Sequence, residues 1–209
     1  MLCLDKKAQL NYNRTIINCN YLREVFMDTL FTERLILREF HYSDIDDLFE
    51  YARNPNVGPN AGWKPHESKR ESLSVLRQFI NSGEVWAIVY KDNKKVIGSI
   101  GLHKDAKRSN ERARMIGYAL SEEYWGQGLA TEAAKCVIKY GFEVMKLDII
   151  SVYHYPHNYR SKRVIEKCGF KYEGILRHAS ILYDGNLCDE VCYSMTKDEY
   201  ISIYRESNL

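Results

Sequence analysis

Residues Tyr124-Trp125-Gly126-Gln127-Gly128-Leu129-Ala130-Thr131-Glu132-Ala133 constrain this chain more than any other ten positions. An apolar run from Met115 to Leu120 leads into them. A helical pattern that puts Leu129, Ala133, Val137, Tyr140 and Val144 on one stripe begins inside them. The order is strand, glycine-paired bend, helix. Two residues without a Cβ let the backbone approach a ligand closely. The first helical turn then offers unpaired N–H groups and a positive dipole end, which suit a phosphate. The segment reads as a diphosphate cradle, with Glu132 complementing the helix dipole.

Three diphosphates compete for such a cradle. A Walker-type loop needs Lys-Ser/Thr after its last glycine, and Leu129-Ala130 stand there instead. A dinucleotide fingerprint needs a third small residue where Thr131 stands. Asp148 follows at a suitable distance but begins the next apolar run, whereas a ribose-binding carboxylate ends one, so this reading is the weaker. The diphosphate of coenzyme A is the third and stronger reading.

The rest of the chain is organised around this unit. Its 209 residues suffice for one domain with a full core. The net charge of +2 without a basic block argues against a nucleic-acid or membrane-surface protein, and no apolar run approaches the length of a membrane span. The first 26 residues lack the apolar stretch of a signal peptide. Six cysteines, at 3, 19, 136, 168, 188 and 192, form no C-x-x-C pair and read as reduced thiols packed as small apolar residues. Leu35–Arg38 alternates as a first strand. Ser43 is a candidate N-cap for a helix through Asn54, and residues 54–62 carry loop chemistry. Ser68 and Glu71 make a capping box for a helix through about Asn81. Strands are expected at Val85–Tyr90, Lys95–Leu102, Arg112–Leu120 and Ile149–Tyr153, the last two parallel across the helix between them. A short helix over Tyr159–Lys167 ends at Gly169, and two final strands flank Asp184-Gly185. The fold class is α+β, with a mixed, mostly antiparallel central sheet. The domain spans 29–206. Residues 1–28 read as a dispensable extension, or as sequence ahead of a start at Met27.

With these elements in place, the chain resembles the GNAT acetyltransferases. Leu120 to Ala133 is similar to their motif A, Q/R-x-x-G-x-G/A, with Trp125 where the general family has Arg or Gln. The Tyr-Trp-Gly-x-Gly form is similar to the ribosomal-protein N-acetyltransferase-like branch of RimJ/RimL type. Further matching segments follow in order: Thr32–Arg38, Val96–Leu102, Asn158–Phe170, Tyr172–Arg177 and Asp184-Gly185. The resemblance implies the GNAT fold, in which the strands before and after the cradle helix splay apart and the pantetheine arm of acetyl-CoA slots between them. It implies cofactor contacts at Tyr118, Ala119 and Leu120, mostly through main chain, and at Gly126, Gln127, Gly128, Leu129, Ala130, Thr131, Asn158 and Ser161.

The resemblance also implies direct attack by an amine on the thioester, with an N–H near 118–120 stabilising the growing oxyanion. A hydroxyl on the helix after Asn158 protonates the departing thiolate. Ser161 is the candidate, Tyr159 the alternative, and a mere helix cap the structural reading of Ser161. Where branch members carry a carboxylate after E-G-x-L-R, this chain has Ser180. His178, two residues earlier, and Asp189, across the hairpin, are therefore the candidate bases. No cysteine or serine sits in a nucleophile elbow, so a covalent acetyl-enzyme lacks support. No metal is expected, since Pro156 separates His154 from His157 with no third ligand nearby.

The expected activity is acetyl transfer from acetyl-CoA to a primary amine in the cytoplasm, by a monomer or homodimer. The branch implies a protein N-terminus such as that of a ribosomal protein as acceptor. A polyamine or aminoglycoside is the alternative substrate, with Asp44, Asp46, Asp47, Asp189 and Glu190 available for an acidic groove. A non-catalytic acetyl-CoA-binding protein is the alternative of a different class.

Overall fold

The segment Val85-Trp86-Ala87-Ile88-Val89-Tyr90 is apolar on both faces, so a strand made from it must be covered on both sides. In the computed structural model, which describes residues 27–204, it is such a strand: β3 (Val85–Tyr90) lies between β2 (Leu35–Glu39) and β4 (Val96–Lys104). With β1 (Leu30–Phe31), β5 (Ala113–Leu120), β6 (Ile149–His154), β7 (Lys171–Ile181) and β8 (Leu187–Thr196), one sheet forms in the order β1-β2-β3-β4-β5-β6-β8-β7. All neighbours are antiparallel except β5 and β6, as the sequence predicts. Cys3, Cys19 and the expected extension up to residue 26 fall outside the described residues.

Two hydrophobic clusters cover the two sheet faces. On one, α4 (Leu129–Glu143), α5 (Tyr159–Lys167) and α6 (Lys197–Tyr204) enclose Leu35, Ile88, Ile100, Val137, Ile150 and Met195. On the other, α1 (Ile45–Ala52) and α3 (Lys69–Ser82) enclose Phe40, Leu48, Leu76, Ala87 and Val89. Each buried Leu or Ile contributes roughly 1.5–3 kcal/mol relative to exposure.

Several local expectations change. Ser43 does not cap α1. A 3-10 turn at Tyr42–Asp44 precedes that helix, and its backbone is closed by Asp44, whose carboxylate accepts the His41 N–H at 2.7 Å while held by Arg38 at 2.7 and 2.9 Å. The 54–62 loop contains one helical turn, α2 (Gly58–Ala61), ended by Gly62 at φ 95°. At α3 Ser68 Oγ accepts from Glu71 N–H as expected, but the Glu71 carboxylate takes the Glu67 N–H instead of Ser68's. Along α4 Leu129, Ala133 and Val137 are buried, whereas Val144 is 56% exposed beyond the helix end. Ala134, Ile138 and Phe142 widen the apolar stripe instead. β1 and α6 carried no expectation. α6 docks by stacking Tyr200 on Phe142 at 4.8 Å between ring centroids.

Candidate active site

β5 keeps its ladder with β4 from Arg114 out to Leu120, opposite Gly98. Toward β6 it pairs only at Ala113, Arg114 and Met115, opposite Ile149, Ile150 and Ser151. Past that point the strands diverge, and the β6-facing backbone groups of Ile116–Leu120 have no strand partner. A cavity of about 810 Å³ opens there, lined on one side by Ile116–Leu120 and on the other by Val152, Tyr153 and His154. This is the size of a cofactor site, and the exposed strand edge offers main-chain pairing to an extended chain lying in the split.

At the C-terminal end of β5 the chain bends into α4. Gly126 has φ 75° and Gly128 φ 80°, the left-handed region that disfavours any side chain. A Cβ on Gly126 would meet nothing within 4 Å, so the backbone angle and not crowding demands the glycine. Gly126, Gly128, Leu129, Ala130 and Thr131 line the cavity and aim the first turn of α4 into it. Gln127 does not line it. Its side chain folds back to donate to the Glu123 carbonyl at 3.0 Å, which leaves its main chain at the bend between the two glycines. The Trp125 indole N–H donates to the Leu120 carbonyl at 2.8 Å, closing the end of β5.

The cation that Trp125 displaces from the motif returns from elsewhere. Arg160 on α5 lies over the Trp125 ring, 4.4 Å from its centroid, and Arg163 and Lys167, three and seven residues on, also line the cavity. The i, i+3, i+7 spacing of these cations was readable in the sequence, but only the fold turns that face of α5 toward the cradle.

Glu132 does more than complement the helix dipole. Its carboxylate accepts from Thr32 Oγ1 at 2.6 Å and from Arg34 N–H at 2.8 Å, and it pairs with the Arg34 guanidinium at 2.7 Å. Arg34 in turn donates to the Gln127 carbonyl at 3.0 Å. Burial alone would raise this carboxyl; the Thr32 and Arg34 hydrogen bonds outweigh it and hold Glu132 below the usual carboxylate range. The Thr32-Glu33-Arg34 segment is thereby the brace that fixes the cradle helix to β2.

Asn158 and Ser161 reach the cavity as expected, but the roles divide differently. Asn158 is the cap: its Oδ1 accepts the Ser161 N–H at 3.0 Å, and its Nδ2 donates to the Asn60 carbonyl at 2.8 Å, tying α5 to α2. Ser161 is thus free of capping, and its hydroxyl lies 2.9 Å from the Tyr118 phenol. Burial pushes that phenol well above its ordinary range, so it stays protonated and able to donate. Tyr159, the tyrosine expected as alternative donor, is 69% exposed and outside this cavity. Alternation along β5 was legible; that residue 118 would meet Ser161 across the split was not.

The candidate bases fare worse. His178 sits at a β7 bulge with φ 52°, its side chain exposed and its N–H donating to Asp189 Oδ1 at 2.8 Å. Neither residue lines the cavity. The bulge between Leu176 and Ser180 breaks the strand alternation on which His178 was placed. The carboxylate that lines it is the next residue, Glu190, 9% exposed. Glu190 accepts a hydrogen bond from Ser180, the residue standing where a carboxylate was expected, and lies 2.7 Å from Lys107 Nζ. The other acidic residues proposed for a groove are engaged elsewhere: Asp44 with Arg38, Asp46 with Lys69 at 2.6 Å, and Asp47 with the Val96 N–H at 2.8 Å.

His154 donates through Nδ1–H to the Tyr155 carbonyl, 2.8 Å away, and its buried Nε2 has no hydrogen-bond partner among the described residues. Its ring packs on Tyr193 while that of His157 stacks on Tyr155, so the two histidines do not converge. Among the described residues no group of three or more His, Cys, Asp or Glu side chains is placed to hold a metal, and no helix is long and apolar enough to cross a membrane.

Comparison with known proteins agrees with this geometry. Residues 34–171 match the acetyltransferase (GNAT) domain family. The chain is 33% identical over 171 residues to the uncharacterized N-acetyltransferase YoaA of Bacillus subtilis, covering 79% of this chain and 95% of that protein. It is 26% identical to the ribosomal protein uS5-alanine N-acetyltransferase of Escherichia coli, covering 82% of this chain and 92% of that one. Among solved structures, a GNAT-family acetyltransferase from Bacillus anthracis superposes with a TM-score of 0.74 at 26% identity, over 82% of this chain and all of the other. A strand pair splayed beside a glycine-bent helix N-terminus, on a chain with these relatives, makes this protein a member of the GNAT family and an acetyl-CoA-dependent N-acetyltransferase.

Proposed function

We propose that the acceptor is the N-terminal amine of a protein, of which a ribosomal protein is the leading case, and that the enzyme works in the cytoplasm. The observation carrying this reading is the charge of the cavity lining. Among the described residues Glu190 is the one acidic residue lining it, amid Trp63, His66, Phe79, His103, Tyr153 and Tyr155, while Lys107, Arg160, Arg163 and Lys167 supply positive charge. One carboxylate in an aromatic wall suits a single ammonium group; a polyamine or aminoglycoside, with several, calls for several carboxylates. An α-amine of pKa about 8 is also partly neutral at pH 7, whereas a lysine near about 10.4 is rarely so. The similarity to the uS5-alanine N-acetyltransferase supports the same class.

In this reading the first-turn amides of α4 with Gly126 and Gly128, helped by Arg160, hold the diphosphate of acetyl-CoA, and the open edge of β5 holds its pantetheine arm. The neutral amine attacks the thioester carbonyl directly. Glu190 accepts the proton released from nitrogen as the C–N bond forms. An N–H of the open β5 edge stabilises the oxyanion, and as the C–S bond breaks the Tyr118–Ser161 hydroxyl pair delivers a proton to the thiolate. The test is thiol release from acetyl-CoA by the purified protein with hexapeptides of varied first residue, spermidine and kanamycin in parallel. Turnover with free peptides that N-terminal formylation abolishes supports the proposal; preferential turnover of spermidine or kanamycin overturns it.

A further inference from the structure

The segment joining β4 to β5 carries Lys107, whose side chain enters the same cavity. Its Nζ lies 2.7 Å from Glu190 Oε2 and 4.1 Å from the centroid of the Tyr153 ring. A carboxylate on one side and an aromatic face on the other are the two groups that recognise a primary alkylammonium. Ser180 donates to Oε1 of Glu190, and the Lys107 ammonium meets the buried Oε2. The backbone beneath is fixed: Asp105, itself buried, accepts from the Lys107 N–H at 2.9 Å, from Tyr153 Oη at 2.8 Å and from Ser151 Oγ at 2.6 Å. Tyr153 is therefore held rigidly by the same residue that anchors the start of the lysine's loop. The lysine side chain, about a third exposed on a flexible stem, can leave without moving the backbone.

Resting on the function proposed above, we infer that Glu190 and Tyr153 form the seat for the acceptor's ammonium group, and that Lys107 fills it as an internal stand-in which the acceptor must displace. The Lys107 ammonium already holds the two contacts, carboxylate and ring face, that an incoming alkylammonium would make, so the two compete for one place. The lysine also screens the carboxylate against amines too weakly bound elsewhere in the cavity to compete, so acceptor selectivity resides partly in this displacement.

The probe is n-butylamine, which reproduces the stem and ammonium of a lysine side chain. Acetyl-CoA binding is measured first by calorimetry in the wild type and each variant. Absence of binding in the wild type would strike the acetyltransferase assignment and not the seat. Butylamine-dependent thiol release is then compared in the wild type, Lys107→Ala and the double variant Lys107→Ala/Tyr153→Leu, which removes the ring face and leaves the base. The expected result is a kcat/KM for butylamine about tenfold or more higher in Lys107→Ala than in the wild type, and loss of that gain, through KM, in the double variant. Equal or slower turnover in Lys107→Ala, with acetyl-CoA binding retained, overturns the inference, as does a gain that survives Tyr153→Leu. If melting shows that Lys107→Ala does not fold, Lys107→Ser takes its place with the same outcomes.

Discussion

At its α4 end the cavity wall is main chain: two glycines at positive φ, a helix N-terminus and a strand edge without a partner. At its β8 end the wall is side chain: Glu190, Lys107, Tyr153, His103 and a ring of aromatics. The first is specified by backbone angles that few sequences can adopt, and the second by residues that can change without disturbing the fold. A family built this way can hold its donor substrate constant while its acceptor drifts. At the side-chain end, the carboxylate that the family resemblance leads one to expect at position 180 is a serine, which donates to Glu190 on the neighbouring strand.

The largest expected effect falls on the main-chain end. Gly126→Glu puts a carboxylate into the proposed diphosphate seat and forces a side chain onto φ 75°. The Cβ itself has room, so the fold should survive a strain of about 1–2 kcal/mol. Acetyl-CoA affinity should fall by more than about 100-fold, near 3 kcal/mol, when measured by calorimetry. Unchanged affinity in a folded variant would break the contrast at its root.

At the side-chain end Glu190→Gln should do the reverse. Turnover of a peptide acceptor should drop by about 10²-fold, the lower range for a general base, while acetyl-CoA binds as before. A matching loss of donor affinity would show that the two ends are not separable.

The same contrast decides what could be read beforehand. The glycine bend, the parallel β5–β6 pair and the capping of α3 follow from local chemistry, and the sequence yields them. Gly169 after α5, with φ 84°, belongs to the same class. Ser43 does not cap α1 because the chain enters that helix through a 3-10 turn, held by the Asp44 carboxylate between the His41 N–H and Arg38; a tertiary ion pair overrode a local preference. His178 was placed by strand alternation, and a bulge whose position no residue announces shifted it out of the site. Tyr118 was read for its main chain only, and Arg160 and Lys107 were passed over, because each side chain matters only through a partner more than 30 residues away or through a helix face whose direction the fold sets.

The Tyr118–Ser161 pair lies between the two ends and tests whether it acts as one unit. Tyr118→Phe and Ser161→Ala should each lower turnover roughly 10- to 100-fold, and the double variant should be little worse than the poorer single one, since each hydroxyl works through the other. Burial holds the phenol protonated beyond the ordinary tyrosine value of about 10, so wild-type turnover should show no high-pH loss from this group below that value. Additive losses would mean two independent proton donors.

A smaller effect is expected where the cradle is braced from behind. Glu132→Gln weakens the Thr32 and Arg34 hydrogen bonds and should cost about 1 kcal/mol, after allowance for the solvent exposure of Arg34. Because the folded-state pKa of Glu132 is depressed, its contribution is complete above the unfolded carboxylate value of about 4.3 and is lost as pH falls through the lower folded value. Urea melts of wild type and variant should therefore differ at pH 7 and converge only as pH falls below the depressed folded-state value. A gap that persists in acid would mean that the brace works by packing and not by charge.

The smallest effect belongs to His178, a candidate base by sequence and a bulge residue by structure. His178→Gly relieves a non-glycine residue at φ 52°. That gain, of about 1 kcal/mol, is largely offset by the greater freedom glycine gives the unfolded chain, of about 0.5–1 kcal/mol. Stability should change by no more than a few tenths of a kcal/mol, and turnover should not change, because the side chain is exposed and outside the cavity. The bulge itself should persist, since its N–H still donates to Asp189 whatever side chain the residue carries. A tenfold fall in peptide turnover without a fall in melting temperature would return the base to β7 and remove Glu190 from that role.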